Sequence, residues 1–213
     1  MENGDFEATI IQGKGGKKHY YKGMLSFVDI ERKVHILWTT ELIIGREEVC
    51  DIFLPDKRVS RKHAIVSLAY DGIRFSDLAS SNGSTRNGEK VEGAIILNDG
   101  DELGIGGAFT MGVKIREQDE MVQSVVIGHD IDEYLLTQTE VLIGSDPAQV
   151  DIVLAGTEVA SVHAQIEFIY DTPIITNMRE DKPIIVDKQP VVSTRLKEYS
   201  SIHIGNSLTT WRL

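Results

Sequence analysis

The chain has 213 residues, enough for two domains of about 100 residues each. Its 41% apolar content supports packed cores, and this excludes a disordered tail. A formal charge of −11 disfavours general nucleic-acid binding, because an acidic surface gains nothing from releasing counterions.

The opening stretch Met1-Glu2-Asn3-Gly4-Asp5 has neither the basic region nor the apolar core of a signal peptide. No apolar run approaches the roughly 20 residues needed to span a bilayer. The expectation is a cytoplasmic protein with no membrane insertion. The one cysteine, Cys50, cannot form an internal disulfide, which suits a reducing compartment. It reads as a half-buried strand residue.

Residues 1–23 read as a flexible leader. The run Gly13-Lys14-Gly15-Gly16-Lys17-Lys18 is not a P-loop, since Ile11 stands where glycine is required and no Ser or Thr follows Lys17. Thr9 in this leader is a candidate phosphorylation site whose modified side chain could fold back onto the rest of the chain.

From Val34 onward the apolar pattern has period two. Val34, Ile36 and Trp38 alternate with their neighbours, as do Phe109, Met111, Val113 and Ile115. Asp71-Gly72, Asn82-Gly83, Asn87-Gly88 and Asn98-Asp99-Gly100-Asp101 mark turns between short strands. Gly104-Ile105-Gly106-Gly107 is not a dinucleotide fingerprint, because no helical pattern follows it. The predicted architecture is all-β, a sandwich without a long helix.

The chain also repeats itself. Asp51-Ile52-Phe53-Leu54 recurs as Asp151-Ile152-Val153-Leu154, and Val59, His63 and Ala64 recur as Val159, His163 and Ala164, all 100 residues apart. Ile44-Gly45 and Ile105-Gly106 recur at an offset of 99, as Ile143-Gly144 and Ile204-Gly205. The predicted division is a first domain at 24–116, a linker at 117–121 and a second domain at 122–213. So short a linker predicts two copies held close together. The acidic runs Asp130-Ile131-Asp132-Glu133 and Glu180-Asp181 read as solvated loops.

Three stretches of the first copy carry chemistry: Ile44-Gly45-Arg46, Val59-Ser60-Arg61-Lys62-His63, and Asp77-Leu78-Ala79-Ser80-Ser81-Asn82-Gly83-Ser84, with Asn87-Gly88 beyond. Loops at one end of a sandwich converge in space. Arg46 and Arg61 would supply forked positive donors that suit phosphate oxygens. Ser60 and Ser81 would supply hydroxyls, and Asn82 and Asn87 amides for an extended ligand's backbone. Together they describe a dianion site with a peptide clamp. Neither the carboxylates and strand lysine of a kinase nor the nucleophile or metal ligands of a phosphatase accompany them.

The ordered blocks Gly45-Arg46, Ser60-x-x-His63, Asn82-Gly83 and Asn87-Gly88, followed by Asp99-Gly100-Asp101-Glu102-Leu103-Gly104-Ile105-Gly106, resemble the forkhead-associated (FHA) domain family. The resemblance covers about residues 24 to 115. It implies two tandem FHA-type sandwiches of about 11 short, mostly antiparallel strands each. It also implies a binding module for phosphothreonine rather than an enzyme, with no cofactor and no metal. Arg46, Ser60, Arg61 and Ser81 would then contact phosphate, and Asn82 and Asn87 the peptide. Gly45, His63 and Gly83 would be structural. Ser81 stands where the family commonly has threonine.

In the second copy the same register replaces Arg46 by Ser145, Ser60 by Ala160, Ser81 by Asp181 and Asn82-Gly83 by Lys182-Pro183. The resemblance there is to a degenerate FHA-like domain unable to read phosphothreonine. The expected role is a phosphothreonine-dependent adaptor in Ser/Thr kinase signalling. Its partners would be a phosphothreonine-containing protein and a Ser/Thr kinase, with self-association through the second domain as a further candidate. A phosphate-independent scaffold in a larger complex is the alternative.

Overall fold

The structure is a computed structural model that describes residues 21–27, 31–69, 72–118, 121–130, 132–137, 140–169 and 172–212. Thr9 and the glycine-lysine run lie outside these residues. Among the described residues there is no helix. The first repeat contributes β1 (Tyr21–Phe27), β2 (Lys33–Leu37), β3 (Glu41–Gly45), β4 (Ile52–Phe53), β5 (Ala64–Ala69) and β6 (Gly72–Asp77). It continues with β7 (Ser84–Arg86), β8 (Glu89–Lys90), β9 (Ala94–Ile96), β10 (Glu102–Ile105) and β11 (Phe109–Gln118). The second repeat contributes β12 (Met121–His129), β13 (Asp132–Thr137), β14 (Val141–Gly144), β15 (Ile152–Val153), β16 (Ala164–Ile169) and β17 (Thr172–Asn177). It ends with β18 (Ile184–Val186), β19 (Gln189–Val191), β20 (Ser193–Arg195), β21 (Ser201–Ile204) and β22 (Ser207–Arg212).

Period two explains these strands. In β6, Ile73 and Phe75 are buried while Arg74 is exposed. Turn chemistry then sets the register. Asn87 and Gly88 both have positive φ, 51° and 82°, the backbone of a tight two-residue hairpin between β7 and β8. Asp187 and Lys188 make the corresponding turn between β18 and β19 without glycine, at φ 50° and 69°.

The strands form three sheets. Two are five-stranded, β4-β3-β5-β6-β9 and β15-β14-β16-β17-β20. The third has twelve strands in the order β19-β18-β21-β22-β1-β2-β13-β12-β11-β10-β7-β8 and is shared by both repeats. At one end the first small sheet covers one face of it, and at the other end the second small sheet covers the opposite face. The middle strands are therefore buried on both sides. Val125, Ile127 and Leu136 face the first core, while Val126 and Leu135 face the second.

The cores do not follow chain order. Leu25, Phe27, Val34 and Ile36, from the start of the chain, pack with Ile143, Ile166 and Trp211. Ion pairs tie the repeats where β2 runs parallel to β13. Arg32 grips Glu133 through Nε–Oε1 and Nη2–Oε2, both 2.7 Å, and its Nη1 donates to the Val153 carbonyl at 2.7 Å. His35 Nε2 lies 2.7 Å from Asp132 Oδ1, and its ring stacks on Tyr134 with centroids 4.8 Å apart. Asp132 and Glu133 are thus strand residues in inter-repeat pairs rather than part of a solvated loop. Their partners are more than 90 residues distant in sequence and carry no local signal. A buried pair, Arg116 Nε to Asp151 Oδ1 at 2.8 Å, joins β11 to the start of β15.

Candidate functional site

The three predicted stretches meet at one end of the first sandwich. Gly45 ends β3 against the β4–β5 connection: Arg46 N donates to Ser60 O at 3.0 Å and Glu47 N to Arg61 O at 3.2 Å. A Cβ on Gly45 would stand 2.2 Å from the Arg61 carbonyl oxygen, so only glycine permits this approach. Cys50, 1% exposed rather than half-buried, donates its thiol to the same carbonyl at 3.2 Å. Burial pushes its pKa up and keeps that proton in place.

His63 is fully buried and fastens the second stretch to the third. Ser60 N donates to its Nδ1 at 3.0 Å. That makes Nδ1 the acceptor, so Nε2–H donates to the Gly83 carbonyl at 3.0 Å. The third stretch is ordered by Asp77. Its carboxylate accepts from Ser80 N and Ser80 Oγ, each at 2.7 Å, and from Ser84 Oγ at 2.6 Å. Burial works to raise the Asp77 pKa, but these hydrogen bonds, with His63 nearby, outweigh it and hold the pKa below the ordinary value. Finally, Ser81 N donates to Ser60 Oγ at 3.0 Å.

The result is an open cup of about 550 Å³ lined by Arg46, Glu47, Lys57, Val59, Ser60, Arg61, Lys62 and Ser81. Arg46, Lys57 and Lys62 are exposed and, among the described residues, face no carboxylate within salt-bridge distance. Arg61 is 75% exposed with Glu47 at 3.9 Å. Four cations and one carboxylate around a hydroxyl suit an anion of more than one charge.

Arg46, Ser60, Arg61 and Ser81 therefore come together as the spacing predicts. Asn82 lies beside the cup, its amide donating to the Arg58 carbonyl at 2.7 Å. Asn87 does not reach it. Its Nδ2 donates to Asp101 at 2.8 Å and its Oδ1 accepts from Glu102 N at 2.8 Å, so the amide is spent holding the β7–β8 hairpin to β10. Lys57, Lys62 and Asp77 are neighbours the sequence reading left without a role. A basic pair flanking Ser60-Arg61 was the available signal for the lysines. Arg58, which looks like another phosphate donor, is occupied by Asp56 at 2.8 Å, a pairing that lowers the Asp56 pKa to about 2.

The second repeat keeps the scaffold. Ser145 N donates to Ala160 O at 2.9 Å, Ala160 N to His163 Nδ1 at 3.1 Å, and His163 Nε2 pairs with Lys182 O at 2.9 Å. A Cβ on Gly144 would lie 2.1 Å from Ser161 O. The donors themselves are gone: Ala160 has no hydroxyl, and Asp181 is paired with Arg179 at 3.1 Å.

These features define an all-β module with an anion cup on convergent loops. Residues 42–106 match the family model described as FHA domain, so the first sandwich carries an FHA-type domain. Residues 127–213 match a different model, described as inner membrane component of T3SS, cytoplasmic domain.

Among curated proteins, the glycogen accumulation regulator GarA of Mycobacterium tuberculosis is 41% identical over 78 residues, 35% of this chain and 48% of the relative. The transcriptional regulatory protein EmbR of the same species is 40% identical over 62 residues, 29% of this chain and 16% of the relative. This chain thus spans about half the length of GarA and less of EmbR. Among solved structures, the FHA-2 domain of a Mycobacterium tuberculosis ABC transporter is 31% identical with a TM-score of 0.33, over 40% of this chain and 74% of that one. EmbR in complex with a low-affinity phosphopeptide is 30% identical with a TM-score of 0.33, over 44% of this chain and 24% of that one.

Among the described residues no helix is long and apolar enough to cross a membrane.

Proposed function

We propose that the first sandwich binds a phosphothreonine side chain of a partner protein and that the chain is an adaptor in Ser/Thr kinase signalling, working in the cytoplasm. The observation that carries this is the Ser60 hydroxyl at the floor of the cationic cup. Its oxygen is occupied by Ser81 N, so its proton is free to donate to a phosphate oxygen. Arg46 and Arg61 neutralise the dianion. Charge-assisted hydrogen bonds contribute about 1.5–3 kcal/mol each. A few of them, less ordering costs, give about −8 kcal/mol, or micromolar affinity.

The charge count supports a finer reading. The cup's four cations and one carboxylate leave a net of three positive charges, of which a phosphate dianion takes two, so Lys57 and Lys62 together keep about one for further negative charge. The preferred ligand is a phosphothreonine flanked by Asp or Glu. A partner pull-down before and after phosphatase treatment tests the function: capture that is lost on dephosphorylation supports it, and capture that persists refutes it.

The match of residues 127–213 favours a second activity for the other half, a phosphate-independent contact within a larger assembly. Its lack of the cup's donors agrees with that reading.

A further inference from the structure

The repeats do not use the hairpins that chain order would assign them. β11 ends at Gln118 and β12 begins at Met121, and these two residues are register partners. A two-residue connection forces an antiparallel hairpin. The β12–β13 hairpin therefore fills the place beside β11 in the first sandwich. β1, left without that place, pairs with β22 at the far end of the chain, Leu25 opposite Trp211. β2 and β13 run side by side and in parallel, Leu37 opposite Leu136, before their continuations part to opposite faces.

We infer that the two repeats trade hairpins, residues 21–37 completing the second sandwich and residues 121–137 completing the first. The second repeat is then a structural part of the cup-bearing module. Three observations converge on this. Val125, Ile127 and Leu136 are buried in the first core, and Leu25, Val34 and Ile36 in the second. Trp38, leaving β2, packs edge-on against Phe168 of the second repeat at 5.5 Å. The tip of the lent hairpin also braces the turn behind the cup. His129 lies edge-on to Phe109 at 4.9 Å and 3.2 Å from the Thr110 carbonyl, while the same turn holds Gly83 through Gly106 N at 3.1 Å. Neither sandwich can open without stripping strands from the other, so a ligand in the cup stabilises both.

The test uses the full chain with Cys50→Ser, and Ser26→Cys paired with Thr210→Cys. These two residues face each other across β1 and β22. Mild oxidation is expected to close a disulfide within one monomer, read by mass spectrometry of the non-reduced digest. No cross-link in the folded protein, or one formed only between chains, overturns the inference. If the cysteine pair prevents folding, hydrogen exchange decides. Ile36→Ala is expected to quicken exchange in β14, β16 and β17, and Leu136→Ala in β3, β5 and β6. The reverse assignment overturns the inference. Neither readout requires phosphothreonine binding, so this inference and the proposed function stand or fall separately.

Discussion

The backbone N–H of Ser81 donates to the hydroxyl oxygen of Ser60 over 3.0 Å, joining two loops that lie 21 residues apart in sequence. This bond fixes the Ser60 oxygen through one lone pair and leaves its single hydroxyl proton to donate elsewhere. Ser60→Ala should lower phosphothreonine-peptide affinity about 10-fold to 100-fold, the loss of one charge-assisted hydrogen bond. The thermal midpoint should barely move, and calorimetry with parallel melting curves checks both.

Lys57 and Lys62 line the cup, and under the proposed function they set how much negative charge it accepts beyond the phosphate. Replacing both with serine should weaken an Asp/Glu-flanked phosphopeptide by about two- to five-fold, the scale of exposed charge pairs. A neutral-flanked phosphopeptide should bind much as before. Titrations at low and high salt should show the difference shrinking with ionic strength.

Gly45 has no room for a side chain. Gly45→Ala pushes a methyl into the Arg61 carbonyl and should cost about 1–3 kcal/mol of stability. Because the displaced segment carries Ser60 and Arg61, binding should fall with it. Denaturant unfolding and peptide titration of the same variant measure the two effects.

Acid should act in two stages. The phosphate's second pKa is near 6, so peptide affinity should fall between about pH 7 and pH 5 with the fold intact. Asp77 has a folded-state pKa below its unfolded value. Its contribution is fully present above the ordinary carboxylate range near 4 and is lost as pH falls through the depressed value. Asp77→Asn should remove that acid-side dependence, as read from melting temperature against pH.

Arg116 and Asp151 are 4% and 0% exposed and are paired at 2.8 Å between the repeats. Arg116→Met strands a buried carboxylate and should destabilise the protein by about 3–5 kcal/mol. Arg116→Met combined with Asp151→Asn should recover part of that loss.

The cup was legible in the sequence because each loop residue has a chemical type with few uses, and the order of the blocks is distinctive. The repeat was legible because one register aligns Asp51 with Asp151 and His63 with His163. Partnership was not legible. Nothing in Leu25 or Ile36 says which core receives them, since both copies carry the same alternation. The one trace was the unbroken apolar run Val125-Val126-Ile127, which marks a strand buried on both faces. Asn87 was ambiguous for a related reason: a turn asparagine and a ligand-clamping asparagine look alike in sequence, and only the structure shows Asp101 and Glu102 beside it.

Titration of the full chain with one peptide in three forms weighs the central claim most directly: phosphothreonine, phosphoserine and unmodified threonine. The expected result is micromolar binding of the phosphothreonine form, weaker binding of phosphoserine and none of the unmodified peptide, with Arg46→Ala abolishing all of it. Equal binding of all three forms, or binding untouched by Arg46→Ala, would contradict the account.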